Sequence, residues 1–91
     1  MLNLKTIGTH YVKLSKLSGV SKVIITYTMG GNSTNALTFT DDKGGSDTLS
    51  VGKTDSDTTY TYEMAAGATA VNIDKSAGSN AFVIKKVEVV E

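Results

Sequence analysis

The stretch Lys22-Val23-Ile24-Ile25-Thr26-Tyr27-Thr28-Met29 decides the fold, because its apolar residues recur with a period of two. In an extended chain, successive side chains point to opposite faces, so Val23, Ile25, Tyr27 and Met29 share one face. The residues between them share the other. Branched and flat side chains of this kind pack well on a pleated surface. The stretch therefore predicts a strand with one face in the core.

The same alternation recurs on both sides of this strand, in residues 10–14, 37–40, 59–64, 70–74 and 82–89. Clusters of Gly, Asn, Asp and Ser separate these runs at a spacing of about ten residues, which is typical of an antiparallel sandwich. We therefore expect an all-β, antiparallel β-sandwich with seven or eight strands.

The last run changes phase partway along. Phe82 and Ile84 are in step with each other, whereas Val87 and Val89 fall on the odd numbers. One extra residue around Lys85 would restore the register, as a β-bulge does. A bend where a strand passes from one sheet to another would give the same pattern.

Length and composition limit the classes of protein to which the chain can belong. Its 91 residues suffice for a single domain, which we take as residues 1–91. The chain has no Cys and one His, so a disulfide framework, a thiolate metal site and a multi-histidine zinc site are excluded. No apolar run approaches the roughly 20 residues that span a bilayer, and residues 1–5 do not resemble a signal peptide. If the natural protein is exported, we expect this chain to be a module excised from it.

Charge and motif content argue against nucleic-acid binding and catalysis. Nine Lys balance nine acidic residues and Arg is absent, so neither the basic excess nor the Arg of a nucleic-acid binder is present. No Ser lies in a Gly-x-Ser-x-Gly elbow, His10 sits at the edge of a predicted strand, and the acids fall in turn-like loops. We therefore expect a protein that is not an enzyme and needs no cofactor.

One acidic segment offers oxygen ligands of the kind that calcium prefers. Asp41, Asp42 and Asp47 lie in a loop that also contains Gly44 and Gly45. The segment does not match the EF-hand pattern, and Asp and Gly are also the residues that tight turns require. Calcium binding and turn formation both remain open for these carboxylates.

A polar recognition surface is the remaining possibility. Sugar rings need a flat aromatic side chain for stacking, with polar groups around it for the hydroxyls. Tyr11 and Lys13 lie on the face opposite the predicted core, as do Ile24, Thr26 and Thr28 of the neighbouring predicted strand. Tyr60 is either a core residue or a second aromatic contact. Three amides fall in predicted loops, where they cap turns or meet a ligand: Asn32, Asn35 and Asn80.

Several stretches together resemble a known family. They are residues 10–27, 35–39, 59–67 and 82–89, which include Thr59-Tyr60-Thr61-Tyr62-Glu63-Met64-Ala65-Ala66-Gly67 and the closing run Phe82-Val83-Ile84-Lys85-Lys86-Val87-Glu88-Val89. The pattern is similar to that of the carbohydrate-binding jelly-roll modules attached to bacterial pectate lyases and other secreted polysaccharide-degrading enzymes.

The resemblance implies a jelly-roll fold, an extracellular location and non-catalytic binding to plant cell-wall polysaccharide of the β-glucan, xyloglucan or pectin type. It implies an appended enzyme that the module targets to the polymer, and no membrane partner. Family members often carry Arg where Asn35 stands and Tyr where Lys85 stands. Lys at such positions suits the carboxylates of uronic acids. The chain is also shorter by one N-terminal strand, and the unpaired edge left by that loss offers a route to dimerisation.

A second hypothesis is a structural or adhesive immunoglobulin-like spacer of a bacterial surface protein, without a ligand of its own. Exposed aromatic side chains discriminate between the two. If all six aromatics are buried, the spacer is favoured. A line of Tyr and Lys on a sheet face favours a linear polymer.

Overall fold

The computed structural model describes residues 2–31 and 34–91, which form strands and turns without a helix. Each strand coincides with a run of alternating or β-branched residues, and each break contains turn-forming residues. The strands are β1 (Leu2–Leu4), β2 (Tyr11–Leu14), β3 (Lys22–Met29), β4 (Asn35–Asp41), β5 (Ser46–Val51), β6 (Thr58–Glu63), β7 (Val71–Ala77) and β8 (Phe82–Val90).

The strands form two antiparallel sheets of four, with the orders β1-β8-β3-β6 and β2-β7-β4-β5. The first strand pairs with the last, the second with the seventh, the third with the sixth and the fourth with the fifth. The chain is thus one long two-stranded ribbon that is rolled up, with β4–β5 as its hairpin end. This is the order of a jelly roll. The prediction of an antiparallel sandwich with seven or eight strands is confirmed.

The core lies between the two sheets and is built from the predicted alternate positions. Val23, Ile25, Tyr27 and Met29 are all buried on the inner face of β3. Across the interior, the ring of Phe39 stacks on that of Tyr62 with 5.4 Å between the centroids. Aromatic pairs of this kind add to the free energy gained by burial.

The phase change in β8 is a β-bulge. Tyr27 pairs with Ile84 and Thr26 pairs with Lys86, so Lys85 is the extra residue. Val87 and Val89 therefore point to the same face as Ile84, as the sequence pattern predicts. The alternative of a strand that changes sheets is wrong, because β8 stays beside β3 along its whole length.

The predicted relation between Tyr11 and the outer residues of β3 is wrong. β2 pairs with β7 in one sheet, whereas β3 lies between β8 and β6 in the other. The outer face that carries Tyr11 and Lys13 is therefore on the opposite side of the sandwich from Ile24 and Thr26. The cause is the rolled ribbon, in which the chain changes sheets between β2 and β3.

Candidate functional site

The outer face of the sheet β2-β7-β4-β5 carries a regular array of polar side chains around an exposed aromatic ring. Alternation turns the apolar residues of each strand inward and leaves the hydroxyl, amide and charged residues outside. We call this surface the polar face. It consists of Tyr11, Lys13, Thr38, Thr40, Ser46, Thr48, Asn72 and Asp74.

Strand register arranges the polar face in two rows. One row runs from Tyr11 through Asp74 and Thr38 to Thr48. The other runs from Lys13 through Asn72 and Thr40 to Ser46. Neighbouring strands lie about 4.8 Å apart, so each row is about 14 Å wide. The surface is broad enough for several polar contacts to one extended ligand.

Tyr11 provides the aromatic part of the polar face. Its side chain is 52% exposed, whereas Tyr27, Phe39, Tyr62 and Phe82 are buried. The ammonium of Lys13 lies 5.5 Å from the centroid of the Tyr11 ring, within the range of a cation–π contact. This contact fixes the two side chains beside each other and leaves part of the ring open to a ligand.

Sequence reasoning missed Asn72 and Asp74. They alternate with Val71 and Ile73, which are buried, so the period of two already turned them outward. What the sequence lacked was the pairing that places them beside Tyr11 and Lys13. These two side chains supply the amide and the carboxylate between the Tyr11 edge and the hydroxyls of β4.

Tyr60 lies apart from the polar face and partly inside the sandwich. Its ring packs on Phe39 with 5.1 Å between the centroids, and its hydroxyl donates a hydrogen bond to Asp47. Burial, together with that hydrogen bond and the charge of Asp47, raises the pKa of Tyr60 to about 12. The structure therefore gives Tyr60 a packing role, with its polar end fixed within the chain.

Asn35 was expected in a loop, and this prediction is wrong. It is the first residue of β4 and is fully buried, and its side-chain oxygen accepts a hydrogen bond from the backbone N–H of Asn80 at 2.9 Å. Gly78 comes so close to this amide that a Cβ there would overlap the oxygen. Asn80 lies between β7 and β8, as predicted. Asn32 lies outside the described residues.

Lys75 links two chain segments at this end of the sandwich. Its side chain is buried, and its ammonium donates hydrogen bonds to three carbonyl oxygens, those of Lys5, Gly78 and Asn80, at 2.8 to 3.0 Å. Burial lowers the pKa of Lys75, and the charge of Lys5 acts in the same direction. The ammonium joins the β1–β2 link to the β7–β8 link.

Lys85 belongs to the other sheet and is not part of the polar face. It is the bulged residue of β8, and its ammonium lies 2.8 Å from a carboxylate oxygen of Asp57. Both side chains are exposed, so this ion pair contributes little to stability. The structure therefore does not bring Lys85 together with Tyr11 and Lys13.

Asp41, Asp42 and Asp47 were expected in one loop, but Asp41 ends β4 and Asp47 lies in β5, so only Asp42 is in the turn between them. All three carboxylates accept hydrogen bonds. Asp41 accepts bonds from the N–H groups of Lys43, Gly45 and Ala65 and from the hydroxyl of Tyr62. Burial acts to raise the pKa of Asp41, but these hydrogen bonds outweigh it and hold the pKa at about 2. Asp41 thus joins the β4–β5 turn to β6 and the segment that follows it.

The other two carboxylates are also bonded. Asp42 accepts from the backbone N–H groups of Thr69 and Ala70 and from the Thr69 hydroxyl, and the bond from the Thr69 N–H is the main cause of its lowered pKa. Asp47 accepts from Thr48 and Tyr60. Within residues 2–31 and 34–91, no three Asp, Glu, His or Cys side chains form a group that could hold a metal ion. These bonds show the turn role of the three acids, and calcium binding is the alternative that they do not test.

The described residues enclose no pocket. The imidazole Nδ1 of His10 accepts hydrogen bonds from the backbone N–H groups of Lys5 and Thr6, both at 3.1 Å. His10 thus holds the turn between β1 and β2. The same residues contain no helix of the length and apolarity that a membrane crossing requires.

Comparisons of the chain with protein-family models, with curated proteins and with solved structures found no match.

Proposed function

We propose that the chain is a non-catalytic module that binds polysaccharide through the polar face. The observation that carries this proposal is the position of the exposed Tyr11 at the head of a row of polar side chains. An aromatic ring covers the apolar face of a sugar, and carboxylate, amide and hydroxyl groups replace water at its hydroxyls. A flat surface without a pocket suits a polymer chain better than a small molecule.

The charges of the polar face favour a neutral polymer, of the β-glucan or xyloglucan type, over pectin. Lys13 is balanced by Asp74, which lies directly opposite Tyr11. Lys85, the other cation that would meet uronic acids, is paired with Asp57 on the other sheet. An acidic polymer would meet the carboxylate of Asp74 next to the stacking ring, and that contact is repulsive. In this proposal, the module delivers an attached secreted enzyme to its substrate.

The expected affinity is weak. One half-exposed ring and a few surface hydrogen bonds stabilise a complex modestly, because each sugar hydroxyl gives up a bond to water. We expect dissociation constants of about 10 µM to 1 mM.

Affinity electrophoresis and titration calorimetry test the proposal, with xyloglucan, mixed-linkage β-glucan, xylan and homogalacturonan as ligands. Binding to a neutral glucan should weaken at least about tenfold in Tyr11→Ala, because the stacking surface is removed. Ile7→Ala is the matched control, since Ile7 is 55% exposed but lies outside the polar face. Asn72→Ala should weaken the same binding.

Charge preference has its own test. Asp74→Asn should improve binding to homogalacturonan, and Asp55→Asn, at an exposed acid in the β5–β6 loop, should leave it unchanged. Absence of binding to all four polymers, or equal losses in Tyr11→Ala and Ile7→Ala, would overturn the proposal.

A spacer module is the second candidate, and one observation favours it. The half of the polar face formed by β4 and β5 carries hydroxyl side chains alone, in Thr38, Thr40, Ser46 and Thr48. Such a surface keeps strands soluble without any ligand. If the chain is a spacer, Tyr11→Ala should change binding to none of the four polymers, and substitutions on the polar face should affect stability alone.

A further inference from the structure

The edge of β8 is left largely uncovered. β1 pairs with β8 only from Phe82 to Ile84. From Lys86 to Val90, β8 pairs with β3 on one side, and no described strand covers the other. We call this segment the open edge. Five residues of a strand extend over about 17 Å, and the alternate N–H and C=O groups that point away from β3 are a template for another strand.

The core-face positions of the open edge are apolar, unlike the exposed positions of the edge strands β5 and β6. Val87 lies opposite Ile25 and Val89 opposite Val23, so both point to the core face of the sheet. They are nevertheless 38% and 48% exposed. By contrast, the exposed residues of the edge strands β5 and β6 are Ser, Thr, Asp and Glu. The open edge thus combines unpaired backbone with uncovered core-face valines.

We propose that the open edge pairs with the open edge of a second copy of the chain, joining two four-stranded sheets into one of eight. A two-fold axis perpendicular to the sheet gives antiparallel pairing and keeps both core faces on the same side. Leu2 occupies the edge beside Ile84, so a partner strand can pair with β8 only beyond that point. The partner's Val90 then lies opposite Lys86. In this register Val87 faces the partner's Val89, and Val89 faces the partner's Val87.

Charge complementarity on the outer face supports pairing with a copy of the same chain. Lys86 and Glu88 point outward together, and within one chain their charged atoms are 3.6 Å apart. In the proposed register, Glu88 faces the partner's Glu88 directly across the axis, which is a like-charge contact. Each Lys86 lies beside its own Glu88 and diagonally across from the partner's Glu88, a distance that long side chains bridge, so the two Lys offset that repulsion. Two Lys and two Glu then form one neutral cluster at the axis, which an unrelated strand would not match.

The arrangement has a consequence that rests on the proposed function. Since both core faces stay on one side of the joined sheet, the two polar faces also lie on one side. A dimer would present two copies of the polar face to one polymer chain, and linked sites bind more tightly than single ones. Dimerisation itself is measured without any polymer, so its failure and that of sugar binding are separate results.

Sedimentation velocity and light scattering of the whole chain test the proposal, at concentrations from about 10 to 500 µM. We expect the mass to rise from 9.5 kDa towards twice that value. Lys86→Glu places four acids at the axis and Glu88→Lys places four Lys there. Each variant alone should dissociate at least about tenfold more readily than the unmodified chain. An equimolar mixture of the two should again associate, because each copy then meets the opposite charge.

Two further variants locate the interface. Val89→Lys places a charge on the core face at the open edge and should give a monomer. Thr61→Lys places the same charge on β6, the opposite edge of the sheet, and should still dimerise. Circular dichroism checks that all variants stay folded. A monomer at every concentration, a mixture that fails to associate, or dissociation by Thr61→Lys would overturn the proposal.

Discussion

Asp41 offers a direct test of what holds the rolled ribbon together. Its two carboxylate oxygens accept four hydrogen bonds of 2.7 to 2.9 Å, from groups that lie up to 24 residues away. In Asp41→Asn, one oxygen remains for Lys43 and Gly45. The other becomes an NH₂ group, which faces the N–H of Ala65 donor to donor.

The expected cost follows from this geometry. One backbone donor loses its acceptor, and the bonds that remain lose the help of the negative charge. Each effect is worth about 1 kcal/mol, the lower end of the usual range, because the site is only partly buried, so we expect a total of about 2 kcal/mol in the free energy of unfolding. For a domain of this size, that corresponds to a fall of about 8 to 16 °C in the thermal midpoint.

Acid titration separates the charge from the packing. The folded-state pKa of Asp41 is about 2, against an ordinary value of 3.8 for an aspartate side chain. The unfolded chain therefore takes up the proton first as the pH falls. The stabilisation is present above about pH 4 and is lost as the pH falls towards 2. Asp41→Asn has no such proton to gain, so its unfolding free energy should depend less on pH in this window.

Urea unfolding at neutral pH and at several values between about pH 4 and pH 2 measures both effects. Asp55→Asn is the control, since Asp55 is an exposed acid in the β5–β6 loop. If Asp41→Asn matched Asp55→Asn in unfolding free energy and in pH dependence, the role assigned to the Asp41 hydrogen bonds would be wrong.

Three further predictions concern the other polar contacts. Lys75→Met should lower the unfolding free energy by about 2 to 3 kcal/mol in urea melts, because three carbonyl oxygens lose the donor that they share. The control Lys53→Met, at an exposed lysine, should change the unfolding free energy little. Because the pKa values of Tyr60 and Tyr62 are raised in the folded chain, the unfolded chain loses these protons first, and stability should fall as the pH rises above about 10. Tyr62→Phe should make that fall shallower, and an unchanged slope would contradict the role given to the Tyr62 hydroxyl. Calcium should leave the thermal midpoint unchanged relative to EDTA, because Asp41, Asp42 and Asp47 already accept N–H and O–H groups; a clear rise with calcium would show a cation site.

The sequence predicted strand faces better than it predicted side-chain neighbours. Alternation turned Tyr11 and Lys13 outward and Val12 and Leu14 inward, as the structure has them. The phase change near Lys85 was also visible, because one extra residue shifts every later side chain to the opposite parity. Both features are local, since they depend only on how a strand displays successive residues.

The polar buried residues were not predictable in this way. Asn35 and Lys75 look like surface residues by type, yet both are buried. Their burial is tolerated because Asn80 donates to Asn35, and because carbonyls from two separate links surround the Lys75 ammonium. Such partners come from distant parts of the chain, and no local sequence pattern predicts them.

The sequence by itself therefore determined most of the strands, their inner and outer faces and the phase change near Lys85, because steric alternation acts between adjacent residues. That this phase change is a bulge and not a change of sheet was decided by the structure. Only the tertiary structure decided which strands became neighbours. The rolled ribbon put β2 beside β7, which brought Tyr11 next to Asp74 and set it on the opposite side of the sandwich from Thr26. It also pairs β1 with Phe82–Ile84 of β8 and leaves Lys86–Val90 without a described neighbour on that side. Both candidate surfaces depend on pairing between distant segments, whose free energy is shared over the whole core.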